Sequence, residues 1–222
     1  MKVRVYRKFN LQGEIALTKW DVAFLQRHNG KGLGTTWRNP YLLNTPIGLC
    51  VCRRKELAKE GTAMTIKVGD KLPDVKLVKA TADGPQPVQS SDFFAGRKVA
   101  LFSVPGAFTP TCSARHLPGF VEKADELKAK GIDEIACTAV NDAFVLGAWN
   151  KSGGSDAITM LADGNADFAE AVGLTMDGSG FGMGKRGQRF SMVVNDGGVE
   201  QLNVEAPGDF KVSSADHMLE QL

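Results

Sequence analysis

The order of apolar and polar segments predicts an α/β fold, a mixed central sheet flanked by helices. Three observations carry this. Short runs rich in β-branched and aromatic residues alternate with amphipathic stretches through the middle of the chain, as parallel βαβ units require. Two later strand candidates are joined by Asn195-Asp196-Gly197-Gly198, and Asp-Gly at that place is a strong hairpin signal. Finally, one apolar run hands over directly to a Pro- and Thr-rich junction that opens a helix.

In chain order, Lys76-Leu77-Val78-Lys79 reads as a short strand, and Val99-Ala100-Leu101-Phe102-Ser103-Val104 as a buried one. From Thr111 to Lys130, Leu117, Phe120, Val121, Ala124 and Leu127 fall at helical spacing with charges between them, predicting one helix. Ile135 to Val140 is a second apolar run and reads as a central strand. A helix over Asp142 to Lys151, a strand over Ile158 to Leu161 and a helix over Ala166 to Val172 follow. Phe190 to Val194 and Val199 to Val204 form the hairpin, and Ser214 to Gln221 the last helix.

A chain of 222 residues, 43% hydrophobic and 23% charged, can bury a full core without disulfide support. Its four cysteines have no framework spacing, which points to a reducing compartment. The charge is uneven. Residues 1–63 hold 12 Lys/Arg against 4 Asp/Glu, whereas the remainder holds 15 against 21. The chain therefore divides into a basic N-terminal extension, 1–63, and a domain, 64–222. Three readings of the extension compete: an upstream stretch ahead of a true start at Met64, an organelle-targeting presequence (basic, though without serine), or an accessory arm.

The chemistry concentrates in Pro105-Gly106-Ala107-Phe108-Thr109-Pro110-Thr111-Cys112. Thr109 or Thr111 can cap the helix, and Pro110 suits its first turn, where no amide donor is needed. A sulfur there meets unpaired backbone N–H groups and the positive end of the helix dipole, and both favour thiolate over thiol. A free cysteine is ordinarily an inert buried hydrophobe. Two prolines and a hydroxyl three residues before the sulfur exceed what packing needs.

Pro105-x-x-x-Thr109-x-x-Cys112 resembles the peroxidatic-cysteine motif of the peroxiredoxins. The longer string, with His116-Leu117-Pro118-Gly119-Phe120 behind it, is similar to the peroxiredoxin-5 and plant type II subfamily, as are Val140-Asn141-Asp142-Ala143-Phe144-Val145 and Arg189-Phe190-Ser191-Met192-Val193-Val194. The resemblance runs from about Met64 to Leu222 and implies a thioredoxin-like fold, which the element order supports. It also implies reduction of hydrogen peroxide and alkyl hydroperoxides by Cys112. Thr109 would hydrogen-bond a peroxide oxygen, Arg189 would stabilise both the thiolate and the polarised peroxide, and Pro105 would shield the sulfur and shape the pocket. The plainer reading of Arg189 is a surface cation at a strand edge; Lys185 and Arg186 fit that description better. His116, one turn past Cys112, can border the pocket or help position a partner, and equally can cap or lie on the surface.

Attack on a peroxide leaves a sulfenic acid that a second thiol must resolve. Some relatives carry a C-terminal resolving cysteine, but Gly208 to Ser214 has none. Cys137 lies 25 positions after Cys112 in an apolar run, so its thiol is expected to be buried, with a raised pKa and little freedom to approach. The expected mechanism uses one cysteine and an external thiol, by resemblance glutathione with glutaredoxin. The alternative is a thioredoxin-dependent cycle with Cys137 as resolving thiol. Family likeness also implies a homodimer; the cysteine usage leads us to expect a cytoplasmic protein, unless residues 1–63 are a presequence for mitochondria or another organelle.

Other classes fit less well. A thiol–disulfide oxidoreductase wants Cys-x-x-Cys, absent after Cys112; a non-enzymatic redox-sensing module need not retain Thr109 and Arg189. Gly182-x-Gly184-x-x-Gly187 matches a dinucleotide fingerprint only formally, because a polar segment rather than a strand precedes it. Cys50-x-Cys52 lacks a second ligand pair, so no metal or cofactor is expected. Nor does the sequence suggest nucleic-acid binding or a membrane span.

Overall fold

The structure, a computed structural model, describes residues 65–153 and 156–222. The extension over 1–63, with Cys50, Cys52 and His28, lies outside the described residues.

Among the described residues, seven strands form one sheet. They are β1 (Lys76–Thr81), β2 (Gly84–Gln89), β3 (Lys98–Ser103), β4 (Glu134–Ala139), β5 (Thr159–Ala162), β8 (Phe190–Asn195) and β9 (Gly198–Val204). Their order is β2-β1-β5-β4-β3-β8-β9. The β3–β4 and β4–β5 pairs are parallel and the others antiparallel, giving the expected mixed sheet. Two further strands, β6 (Thr175–Asp177) and β7 (Lys185–Gly187), make a separate ribbon. The helices are α1 (Ser90–Phe94), α2 (Leu117–Glu122), α3 (Ala124–Ala129), α4 (Ala143–Ser152), α5 (Asp167–Ala171) and α6 (Ala215–Gln221).

Both faces of the sheet are covered, and this explains the apolar runs. Successive side chains of a strand point to opposite faces. In β3, Ala100 and Phe102 join Phe120, Cys137, Trp149 and Met218, while Val99 and Leu101 join Phe93, Phe94, Phe168 and Met192. A strand buried on both sides has no polar alternation to show. The β8–β9 hairpin turns at Asp196 (φ 47°) and Gly197 (φ 77°), the positive-φ pair that the Asp-Gly signal predicts.

The helix expected over 111–130 is not one helix. Leu117 N–H reaches back five residues to Cys112 O, so Cys112–His116 form a π-helical turn. Pro118 has no N–H to sustain the ordinary ladder there. A second interruption, at Lys123 (φ −96°, ψ 8°), separates α2 from α3. Neither Thr109 nor Thr111 caps the turn: Thr111 makes no side-chain cap bond, and the Thr109 hydroxyl points elsewhere. Pro110 does occupy the first helical position. Asp142 and Ser214 cap α4 and α6, accepting from Val145 N–H and His217 N–H.

Strand β2 escapes sequence reading because Pro85 and Pro87 lie within it. An edge position tolerates them, since one side of an edge strand makes no ladder bonds. Helix α1 and the β6–β7 ribbon are equally unforeseen. The ribbon encloses the glycine-rich segment, with Gly182 and Gly184 at positive φ, so that segment is a turn.

Candidate active site

Strand β3 ends at Ser103, and Val104 N–H donates to Thr138 O, so the chain leaves the sheet beside the end of β4. The following loop is tied down by Ala107 N–H donating to Asn141 Oδ1 (3.0 Å). Phe108 sits at φ 59°, a left-handed conformation that disfavours side chains like its own and costs about 1 kcal/mol or more. That strained turn delivers Thr109 and Cys112 to the same point.

Thr109 Oγ1 lies 2.8 Å from Cys112 Sγ and 2.9 Å from Gly106 O. One hydroxyl proton serves one acceptor at a time. Against a thiol, Oγ1 accepts from S–H and donates to Gly106 O; against a thiolate, it donates to sulfur. From β8's side, Arg189 Nη2 donates to the same sulfur at 3.5 Å. Cys112 is fully buried, and Pro105 and Arg189 line a cleft of about 600 Å³ shared with Met176, Phe181 and Pro207. Pro105, Thr109, Cys112 and Arg189 are thus brought together.

His116 is neither a cap nor a surface group. It is fully buried against Phe102, Phe120 and Phe210. Its Nδ1 faces Arg189 Nη1 at 3.0 Å and its Nε2 faces Ser213 O at 3.0 Å. Burial and the adjacent guanidinium lower its pKa to about 3, against a smaller raising effect of the Ser213 bond. Arg186, expected as solvated charge, is instead half-buried and donates to Met183 O and Val140 O, because the β6–β7 ribbon folds back over the site loop. Lys185 is exposed and pairs with Glu170.

Cys137 lies in β4, the middle strand of the sheet, fully buried on the face that holds Cys112. Burial pushes its thiol well above the ordinary range, and Cys112 adds to the shift.

The domain matches the redoxin family over residues 67–219. The chain is 52% identical over 164 residues to peroxiredoxin-2E-2, chloroplastic, of Oryza sativa subsp. japonica, covering 71% of this chain and 73% of that protein. It is 46% identical over 159 residues to peroxiredoxin-2B of Arabidopsis thaliana, covering 71% of this chain and 98% of that one. The chain belongs to the peroxiredoxins. Among solved structures, reduced Prx3 of Vibrio vulnificus in complex with hydrogen peroxide is 50% identical. The match has a TM-score of 0.69 and covers 71% of this chain and 99% of that chain. The resemblance read from the Pro105–Cys112 motif and the expected α/β, thioredoxin-like fold both hold, and the activity of the family is that of a thiol peroxidase.

Sequence reasoning about this peroxiredoxin left His116 open and passed over Phe210, Glu205 and Ser213. The signal for His116 was its place one turn from Cys112. For the other three there was none, because a loop after β9 brings them in.

Proposed function

We propose that this peroxiredoxin reduces hydrogen peroxide and alkyl hydroperoxides through Cys112, with an external thiol restoring the sulfur. One observation carries the reading: a hydroxyl, Thr109 Oγ1, and a guanidinium, Arg189 Nη2, converge on the same Sγ from separate elements. The Cys112 thiolate attacks the nearer peroxide oxygen, an S–O bond forms and the O–O bond breaks. The electron pair leaves with the departing alkoxide or hydroxide, which takes up a proton as alcohol or water. Arg189 and Thr109 are placed to stabilise charge as it passes from sulfur to oxygen, as fixed donors in a water-poor site do. Pro105, on the cleft wall, limits water at the sulfur.

The sulfenic acid then meets glutathione: an S–S bond forms, water leaves, and a second glutathione, through glutaredoxin, returns Cys112 to a thiol with glutathione disulfide as product. The burial and raised pKa of Cys137 disfavour it as the resolving thiol. The relative from Vibrio vulnificus was solved with hydrogen peroxide, which supports the substrate. Exposed Phe108 and Phe144 lie on segments joined by the Ala107–Asn141 bond and support a homodimer through that face, which sedimentation of a Phe144→Asp variant tests. The chloroplastic designation of the rice relative supports a presequence reading of residues 1–63 over a cytoplasmic protein; the N-terminus of the mature protein, near Met64 or at Met1, tests this.

The deciding experiment is intact mass after one equivalent of hydrogen peroxide, before and after glutathione. An oxygen adduct on Cys112 that becomes a glutathione mixed disulfide is expected. Loss of two hydrogens instead would establish an internal disulfide, the route that thioredoxin-dependent reduction through Cys137 requires.

A further inference from the structure

We propose that His116 is a positioning residue: it holds the Arg189 guanidinium on Cys112 by relaying to it the fixed carbonyl of Ser213. This rests on the peroxidase reading above and goes beyond it, since His116 does not touch sulfur.

Every bond in the relay has only one possible direction. Arg189 has donors and no acceptor, so Nδ1 of His116 accepts from Nη1 (3.0 Å). Ser213 O can only accept, so Nε2 carries the proton and donates to it (3.0 Å). The imidazole is therefore the neutral Nε2–H tautomer. An imidazolium would set two donors against each other beside a positive charge. Arg189 faces the ring directly, and Arg115 lies beyond Phe210, its guanidinium 4.8 Å from that ring's centre.

The far end of the relay is anchored. Glu205 Oε1 accepts from Lys211 N–H (2.6 Å), Ser213 N–H (2.8 Å) and Ser213 Oγ (2.9 Å), which fixes the loop that presents the Ser213 carbonyl. Glu205 N–H in turn donates to Arg189 O at 3.0 Å. The circuit closes on itself: Arg189 backbone, Glu205, Ser213, His116, Arg189 side chain. A long side chain free to explore its rotamers gives up much entropy when it binds; one already held at Nη1 loses less when Nη2 meets the sulfur.

The test compares His116→Phe, which keeps a ring but no acceptor, with His116→Asn, whose Oδ1 can still accept from Arg189. The readouts are the pH profile of Cys112 alkylation and the single-turnover rate of the peroxide step. His116→Phe should move the alkylation profile to higher pH and slow the peroxide step about tenfold, the effect of losing one bond to a charged group. His116→Asn should recover most of both, and His116→Phe should add nothing in an Arg189→Ala background. An unchanged profile in folded His116→Phe, or equal losses in the two variants, would overturn the proposal. Should either variant fail to fold, long-range ¹H–¹⁵N correlation in the unaltered protein still decides. Nε2–H with an accepting Nδ1 from pH 8 to pH 5 supports the relay, and the other tautomer or an imidazolium refutes it. Failure of the peroxidase reading would show separately, as turnover surviving Cys112→Ser.

Discussion

Acidification offers a quantitative test of the His116 environment that does not depend on activity. In the folded protein its pKa is lowered to about 3 by burial and by Arg189, against 6.5 for a free imidazole. The folded protein therefore refuses a proton that the unfolded chain takes up. Stability from this group is complete above the unfolded value and is lost as pH falls from 6.5 towards the folded value. Between pH 7 and pH 5 the loss integrates to about 2 kcal/mol, or about 4–8 °C in Tm for a domain of this size. Ordinary carboxylates titrate below this window, and Asp163, whose carboxyl burial pushes up, is common to the two chains and cancels in their comparison. The assay is urea unfolding followed by circular dichroism at pH 7, 6 and 5, at one protein concentration with reductant, for the unaltered chain and for His116→Asn. The unaltered chain should lose the stated amount and the variant almost none of it. A difference between the two below about 0.5 kcal/mol would refute a buried neutral imidazole at this position.

Cys112→Ser should abolish peroxide turnover, whereas Cys137→Ser should keep most of it with glutathione and glutaredoxin; loss in the second variant, with an unchanged circular dichroism spectrum, would overturn the one-cysteine cycle. Arg189→Ala should displace the alkylation profile of Cys112 to higher pH, and an unmoved profile would remove Arg189 from the site. At Glu205, burial by itself raises the carboxyl pKa, but hydrogen bonds from Ser213, Lys211 and Val212 outweigh it and leave the group below its usual 4.5. The stabilisation this represents is present above that value and lost as pH falls through the folded pKa. Glu205→Gln should therefore cost about 1–3 kcal/mol near neutrality and converge on the unaltered chain in acid, as chemical denaturation would show. Gly178→Ala would place a Cβ 2.9 Å from Gly184 O in the β6–β7 ribbon, a backbone clash expected to cost about 1–3 kcal/mol in the same measurement.

What could be read in advance followed the range of the interactions involved. Strands β3 and β4 announce themselves because burial on both faces makes every position apolar, and the β8–β9 turn because Asp196 and Gly197 alone meet its demand for positive φ. Strand β2 does not, because its prolines are acceptable only at a sheet edge, and edges are a property of the finished sheet. The helix over 111–130 has the right apolar spacing, but a missing N–H at Pro118 and a five-residue bond at Leu117 divide it without disturbing that spacing. Pro105, Thr109 and Cys112 are legible because eight consecutive residues hold them. Arg189 is 77 positions from the sulfur and came only through family likeness. His116 was visible as a residue and illegible as a contact, since its partner Ser213 is 97 positions away.

The burial of Cys112 places two opposed requirements on the same turn. A peroxide is small enough to reach a sulfur behind Pro105 and Arg189, but a thiol reductant must approach along the axis of the S–O bond it breaks, and a fully buried sulfur leaves no room for a peptide thiol or a protein. On the proposed cycle, the π-helical turn Cys112–His116 must therefore loosen after oxidation. A π turn is less regular than the α-helix that follows it, and among the bonds holding its side chains are Ser113 Oγ accepting from Trp149 Nε1 (2.9 Å) and His116 bridging Ser213 to Arg189. In the proposed cycle the thiolate that Arg189 meets becomes a neutral sulfenic acid, so the guanidinium holds the sulfur less strongly and the His116 bridge loses part of its purpose. Peroxide attack favours a turn held shut, and resolution favours one that opens. Weakening the bridge should slow the first step and hasten the second, so single-turnover oxidation and glutathione reduction of the oxidised protein should move in opposite directions.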